Sequence, residues 1–390
     1  MKWPIDPRNT GTNLPLEGMR VLDFSRVLAG PLVGMIAGDL GADVIKVEGP
    51  AGDPVRSMAP PTLHGLATYY IAVNRHRRNV VADLTNEADR QAIAALIGEA
   101  DAVIENFLPS QYEALAIGAL RAINPDCVWV SITPATTGTA VAAEPSFDLL
   151  AQARSGLMGV TGSEASGPMK VGAPLADVVT GLYGTIGLLT GLLAKARQRP
   201  GRHFEAPLLE STMSALINQA QGYLSTGVTA PRLGNEHPSI HPYGPVTTAD
   251  GHLLVAVGTD GQFARLVAIV DDEALSAGAA DWATNAQRVA DRDALRTTLN
   301  TAFARATTAS WESRLDGQGI PFAPIATVAD AFAQSTIAEG DFVTTMTTPE
   351  GETKVMRSPL RIDGVRPEVR FGPEALGQST DALFGRSISE

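Results

Sequence analysis

Short apolar runs alternate with helical periodicities through the first third of the chain. Residues 20–24 and 43–48 read as strands, separated by a helix over 32–40 that Pro31 can open and Gly41 can close. A β run follows at 79–83, then a helix over 87–99 and a strand at 102–106. A helix near 111–123 and a strand at 127–132 complete the series. Such alternation predicts an α/β fold, a doubly wound Rossmann-like parallel sheet with helices on both faces. Ligands of these sheets gather at the carboxyl ends of the strands, so 25–30, 48–56, 106–107 and 133–138 are candidate rim loops.

The pattern changes beyond about Leu224. A turn-rich stretch, 233–243, leads through a hairpin turn at 247–251 into a β run at 253–257. Helical stretches over 262–269 and 292–306 and a short edge strand at 321–325 follow. These predict three segments: a large Rossmann-like domain over 1–226, a smaller α+β domain over 227–325, and a C-terminal segment, 326–390, that returns to the first.

The longest apolar stretch, 178–194, is slightly short for a membrane span and is bounded by Asp177 and Lys195. Gly181, Gly184, Gly187 and Gly191 mark it as a closely packed helix. The 390 residues, 44% hydrophobic and 18% charged, describe a soluble globular chain with more than one core. A net charge of −12 argues against nucleic acid and anionic membranes as partners. The one cysteine, Cys127, lies in an apolar run, fits a buried strand position and points to a reducing, cytoplasmic setting. Residues 1–6 carry no apolar segment of the signal-peptide kind.

Motif chemistry is mostly excluded. The turn after the first strand, Ser25-Arg-Val-Leu-Ala-Gly-Pro31, lacks the GxGxxG approach to a pyrophosphate. Neither a P-loop, CxxC, HExxH nor GxSxG occurs, so no metal is expected, and His237 and His241 read as loop hydrogen-bonding residues. The basic run Asn74-Arg-His-Arg-Arg78 is either a solvated turn or a polyphosphate site. Asp177 stands just before the glycine-notched helix, either as its N-cap or as a nucleophile that small neighbours let a substrate approach.

Taken in order, LEGMRVLDF (16–24), LAGP (28–31), GADVIKVE (41–48), GDPVR (52–56), ENF (105–107), FDLLAQ (147–152) and SGLMGVTG (155–162) resemble the class III CoA-transferases. LLES (208–211), RLGN (232–235) and ADG (249–251) extend the likeness across the chain. The resemblance implies an interlocked, ring-like homodimer that binds no cofactor tightly and takes acyl-CoA and a carboxylic acid as substrates. It implies that Asp177 attacks the thioester and carries CoA through anhydride and aspartyl-thioester intermediates. Val27, Leu28, Ala82, Asn106 and Phe107 would contact CoA, with Arg77 and Arg78 on its phosphates. Gly172 and the 233–235 loop are candidate oxyanion donors. Three departures concern specificity. Leu108 stands where relatives carry a cation, Ser110 where they carry glycine, and 133–138 reads Thr-Pro-Ala-Thr-Thr-Gly. An epimerase of the α-methylacyl-CoA racemase type would need a histidine near Phe147-Asp148, where none stands. A non-catalytic CoA-binding dimer is the remaining alternative.

Overall fold

The computed structural model describes residues 3–385; the extreme ends of the expected segments, 1–2 and 386–390, lie outside them. The chain divides into two compact units: Met1–Leu157, Val171–Ala220 and Ser335–Glu390 form the first, and Met158–Lys170 with Gln221–Gln334 the second.

The first unit is built on a six-stranded parallel sheet of β1 (Arg20–Asp23), β2 (Asp43–Glu48), β3 (Arg77–Val81), β4 (Ala102–Glu105), β5 (Val128–Thr133) and β6 (His203–Pro207). Their order across the sheet is β6-β5-β4-β1-β2-β3. The chain winds outward from β1 to β3 and restarts beside β1 at β4. Loops leaving β1 and β4 therefore diverge, and a crevice opens over their carboxyl ends. Val21 and Val44 join one core cluster, Leu22, Ile45 and Val103 the other, so the inner strands are apolar on both faces. Each fully buried Leu, Ile or Val contributes about 1.5–3 kcal/mol by leaving water.

Strand β3 begins two residues before the β run expected at 79–83, and two further elements differ from the sequence expectation. Strand β6 was not anticipated, because only Ala206 of its five residues is buried and no apolar run marks it. The helix expected over 111–123 is two short ones, Pro109–Ala114 and Ile117–Arg121, broken where Ala116 takes a left-handed φ of 46°.

Helices α1 (Ala29–Asp39) and α4 (Leu175–Ala196) cover one face, α2 (Glu87–Glu99) the other; α3 (Asp148–Arg154) precedes α4 in the chain. By length and composition α4 could cross a membrane. Its glycine stripe is instead pressed into the fold. A methyl group on Gly181 would stand 2.8 Å from the Ala29 carbonyl oxygen, on Gly184 2.8 Å from Val33, and on Gly191 2.4 Å from Val128. This contact seats the first turn of α4, with Asp177, beside the start of α1.

The tail belongs to the first unit, where Glu374 accepts from the Asn79 amide at 2.8 Å and from Arg8 at 2.9 Å. In the second unit the antiparallel strands Tyr243–Thr247, His252–Ala256 and Phe322–Pro324 pack with helices around Phe263, Leu299, Phe303 and Trp311. His237 and His241 there make loop hydrogen bonds, to the Ser239 amide at 3.0 Å and to Glu236 at 2.9 Å.

Candidate active site

The crevice is shaped by buried polar groups. Asn106, after β4, accepts from the Arg26 amide at 3.1 Å and donates to the Arg26 carbonyl at 2.9 Å, tying the two diverging loops together. Next to it Val27 holds a left-handed φ of 72°, a costly conformation for a β-branched residue. The turn is held from below: the Val27 amide donates to Asp53 at 3.3 Å, and Asp53 pairs with Lys46 at 2.9 Å. Lys46 also donates to the Ser25 carbonyl at 2.8 Å.

Asp177 lies in the first turn of α4, three residues after the capping position, so it is not the N-cap. Pro174 occupies that position, and the Ala176 amide, a donor left free at a helix start, is taken by Asp148 at 2.8 Å. The Asp177 carboxylate is 8% exposed and accepts no hydrogen bond among the described residues. Burial, and then the charge of Asp148, push its carboxyl up to about 7. Raised basicity makes a carboxylate a better nucleophile, and the absence of donors leaves its lone pairs available.

Asp177 lines a cavity of about 250 Å³ together with Val27, Leu28, Asn106, Thr133 and Phe147. Ala82 and Phe107 line a neighbouring cavity of about 210 Å³. Arg26 lines both, the one cation among the described residues that line either. Sequence reasoning passed over it, although it follows β1 in a rim loop and is a cation in an acidic chain.

Arg77 and Arg78 are a correction. They sit at the start of β3, the opposite end of the sheet from the crevice. Arg77 pairs with Asp23 at 2.9 Å and Arg78 with Asp43 at 2.6 Å. They are 1% and 7% exposed, which removes them from a phosphate role. Arg75 forms an ion pair with Asp39 at 2.6 Å, and His76, pushed down to about 4 by burial and so neutral, lies 3.0 Å from the same carboxylate, so the basic run is neither a solvated turn nor a ligand site. It is an internal ion-pair lattice whose partners lie over 30 residues away in sequence. Cys127 is 2% exposed, and burial pushes its thiol up to about 12, which leaves it inert.

The departing loop, 133–138, is stapled to the edge of the sheet. Glu205 accepts from Thr133 Oγ1 at 2.9 Å and from the Thr137 amide at 2.6 Å, and Glu210 accepts from the Thr136 amide at 3.0 Å. Thr133 and Pro134 thereby become a fixed wall of the Asp177 cavity.

Fold and crevice define a doubly wound α/β enzyme with an isolated, basic carboxylate at its switch point. Residues 16–380 match the family model described as CoA-transferase family III. The chain is 34% identical over 389 residues to the Succinyl-CoA:glutarate CoA-transferase of Mus musculus, covering 97% of this chain and 88% of that one. It is 38% identical over 339 residues to the Succinate--glutarate CoA-transferase of Agrobacterium fabrum, covering 82% of each. The crystal structure of a CAIB/BAIF family protein from Brucella suis superposes with a TM-score of 0.83 at 34% identity, covering 96% of this chain and 99% of that one. The chain belongs to CoA-transferase family III. It is a CoA-transferase of class III.

Proposed function

We propose that this enzyme moves CoA from a short dicarboxylyl-CoA to a second carboxylic acid through covalent intermediates on Asp177. The observation that carries the reading is the buried, donor-free Asp177 carboxylate facing a cavity at the switch point. Asp177 attacks the thioester carbonyl; the tetrahedral adduct collapses, the C–S bond breaks, and CoA leaves as thiolate from a mixed anhydride. The thiolate then attacks the Asp177 carbonyl of the anhydride, giving an aspartyl-CoA thioester and the free donor acid. An acceptor carboxylate displaces CoA to form a second anhydride, and CoA thiolate takes the new acyl group, restoring Asp177. No net proton is consumed. Mouse and Agrobacterium relatives named for succinate and glutarate, and a Haloarcula hispanica relative 33% identical and named Succinyl-CoA:mesaconate CoA-transferase, support dicarboxylates on both sides.

In this reading Val27, Leu28 and Asn106 line the path of the pantetheine arm, and Ala82 and Phe107 take the nucleotide end. Arg26 assumes the phosphate role that Arg77 and Arg78 cannot fill. An interlocked homodimer is supported by the outward face of α4, where Leu182, Tyr183 and Ile186 are 48%, 45% and 57% exposed. The lone buried cysteine fits a reducing, cytoplasmic compartment. A racemase would need a second acid or base across the α-carbon, and Phe147 lines the cavity where that group would stand.

The test is mass spectrometry after incubation with acetyl-, succinyl- and glutaryl-CoA and a hydroxylamine or borohydride quench. Modification of the Asp177 peptide, abolished in Asp177→Asn, supports the reading. An unmodified peptide alongside full turnover overturns it.

A further inference from the structure

We propose that Gln152 is a positioning residue for the nucleophile: together with Asp148 it clamps both ends of the segment 171–176, and so sets the aim of Asp177 and the charge beside it. The inference rests on reading Asp177 as the nucleophile.

Asp148 and Gln152 are one helical turn apart on α3, so their side chains share a face. Gln152 is fully buried. Its Nε2 donates to Asp148 Oδ2 at 2.7 Å, and its Oε1 accepts from the Val171 amide at 2.8 Å. Asp148 Oδ1 accepts from the Ala176 amide at 2.8 Å. Three hydrogen bonds therefore close a ring between one turn of α3 and the segment that delivers Asp177. That segment, Val-Gly-Ala-Pro-Leu-Ala, enters α4 through a proline without a side-chain cap. Only a side chain that both donates and accepts can bridge an amide to a carboxylate, which is what glutamine supplies and glutamate or methionine does not.

The ring has an electrostatic consequence. Both oxygens of Asp148 are engaged as acceptors, which fixes where its carboxylate stands, and its charge, added to burial, opposes ionisation of Asp177. Two other charged or titratable groups lie near Asp177. Tyr69, on the helix Thr68–Val73, has its phenol pushed up to about 12 by burial and by Asp177, Asp148 and Asp53. Arg26 lines the same cavity as Asp177. Burial is thus the larger influence on the acid limb of activity, Asp148 is the ionic neighbour that raises it further, and Gln152 keeps Asp148 in place.

The experiment compares full-length Gln152→Met, Asp148→Asn and Asp177→Asn, using whichever of acetyl-, succinyl- and glutaryl-CoA the parent turns over fastest. Gln152→Met is expected to lower kcat by about tenfold or more while KM for the acyl-CoA stays within about threefold, because aim rather than binding is lost. Asp148→Asn keeps an oxygen for the Ala176 amide but removes the charge. It should move the acid limb of kcat to lower pH by about half a unit or more. Calorimetric binding of CoA and far-UV circular dichroism establish that each variant is folded. If Gln152→Met fails to fold, the limb shift in Asp148→Asn decides the matter. An unmoved limb in Asp148→Asn, or an unchanged kcat in folded Gln152→Met, overturns the clamp. Turnover retained by Asp177→Asn instead overturns the nucleophile assignment itself.

Discussion

Lys46 and Asp53 form an ion pair of 2.9 Å in which the two side chains are 1% and 0% exposed, directly beneath the strained turn at Val27. A pair so deeply buried repays little of its desolvation cost. Its contribution is geometric: Asp53 receives the Val27 amide and Lys46 donates to the Ser25 carbonyl, so the loop after β1 is pinned from within the sheet.

Lys46→Met should therefore destabilise the protein by about 3–5 kcal/mol, because it leaves the Asp53 carboxylate buried and unpaired. Urea denaturation measures the loss. Lys46→Met combined with Asp53→Leu should recover most of the stability but leave KM for acyl-CoA raised, since nothing then holds the Val27 amide. A double variant with the parent KM would confine the pair to a structural role.

Arg26 is the cation shared by the two cavities, and its closest side-chain partner is Gln111 at a long 3.4 Å. Arg26→Ala should raise KM for acyl-CoA by roughly 10- to 100-fold, the equivalent of one charge-assisted hydrogen bond. The corresponding acyl-pantetheine thioester, which has no phosphates, should lose far less. Equal losses for the two donors would remove the phosphate assignment.

The loop 133–138 depends on Glu205, which holds Thr133 and Thr137. Glu205→Ala frees a wall of the Asp177 cavity without touching Asp177. Acceptor discrimination, read as the ratio of kcat/KM between glutarate and acetate, should fall by about tenfold, while trapping of the donor half-reaction proceeds. An unchanged ratio across the acceptor pair would show that the loop does not select the acid.

Legibility in the sequence followed the range of the interactions. Five of the six sheet strands were readable because each contains adjacent apolar residues, whereas β6 has none side by side and buries one residue. The glycine spacing of α4 announced close packing, and the structure supplies the partners, Ala29, Val33 and Val128. The basic run misled because local charge density says nothing of Asp23, Asp39 and Asp43, which neutralise it from β1, α1 and β2. Asp177 was visible as an exceptional carboxylate, but its basicity was not, since that needs its burial in the fold and then Asp148 brought beside it by tertiary contacts. Arg26 went unnoticed for the converse reason: nothing in the sequence says that two cavities meet at its side chain.

Asp177 also makes a prediction about stability that is independent of turnover. Its carboxyl is raised from 3.8 to about 7 in the folded protein, first by burial and then by Asp148. The folded state holds the proton more tightly than the unfolded chain, so the penalty is absent below about pH 4 and grows as pH rises toward 7. Above pH 7 it is present in full, at most a few kcal/mol, since each pH unit between the unfolded and folded values adds about 1.4 kcal/mol. Asp177→Asn keeps the shape of the neutral acid and cannot ionise. The variant and the parent should melt together near pH 4, and the variant should be the more stable of the two at pH 8, the compromise expected of a group retained for chemistry. Thermal melts at pH 4, 6 and 8 measure this directly. A difference that does not change with pH would mean that Asp177 is not forced to ionise in an apolar setting, and the account of its reactivity would lose its physical basis.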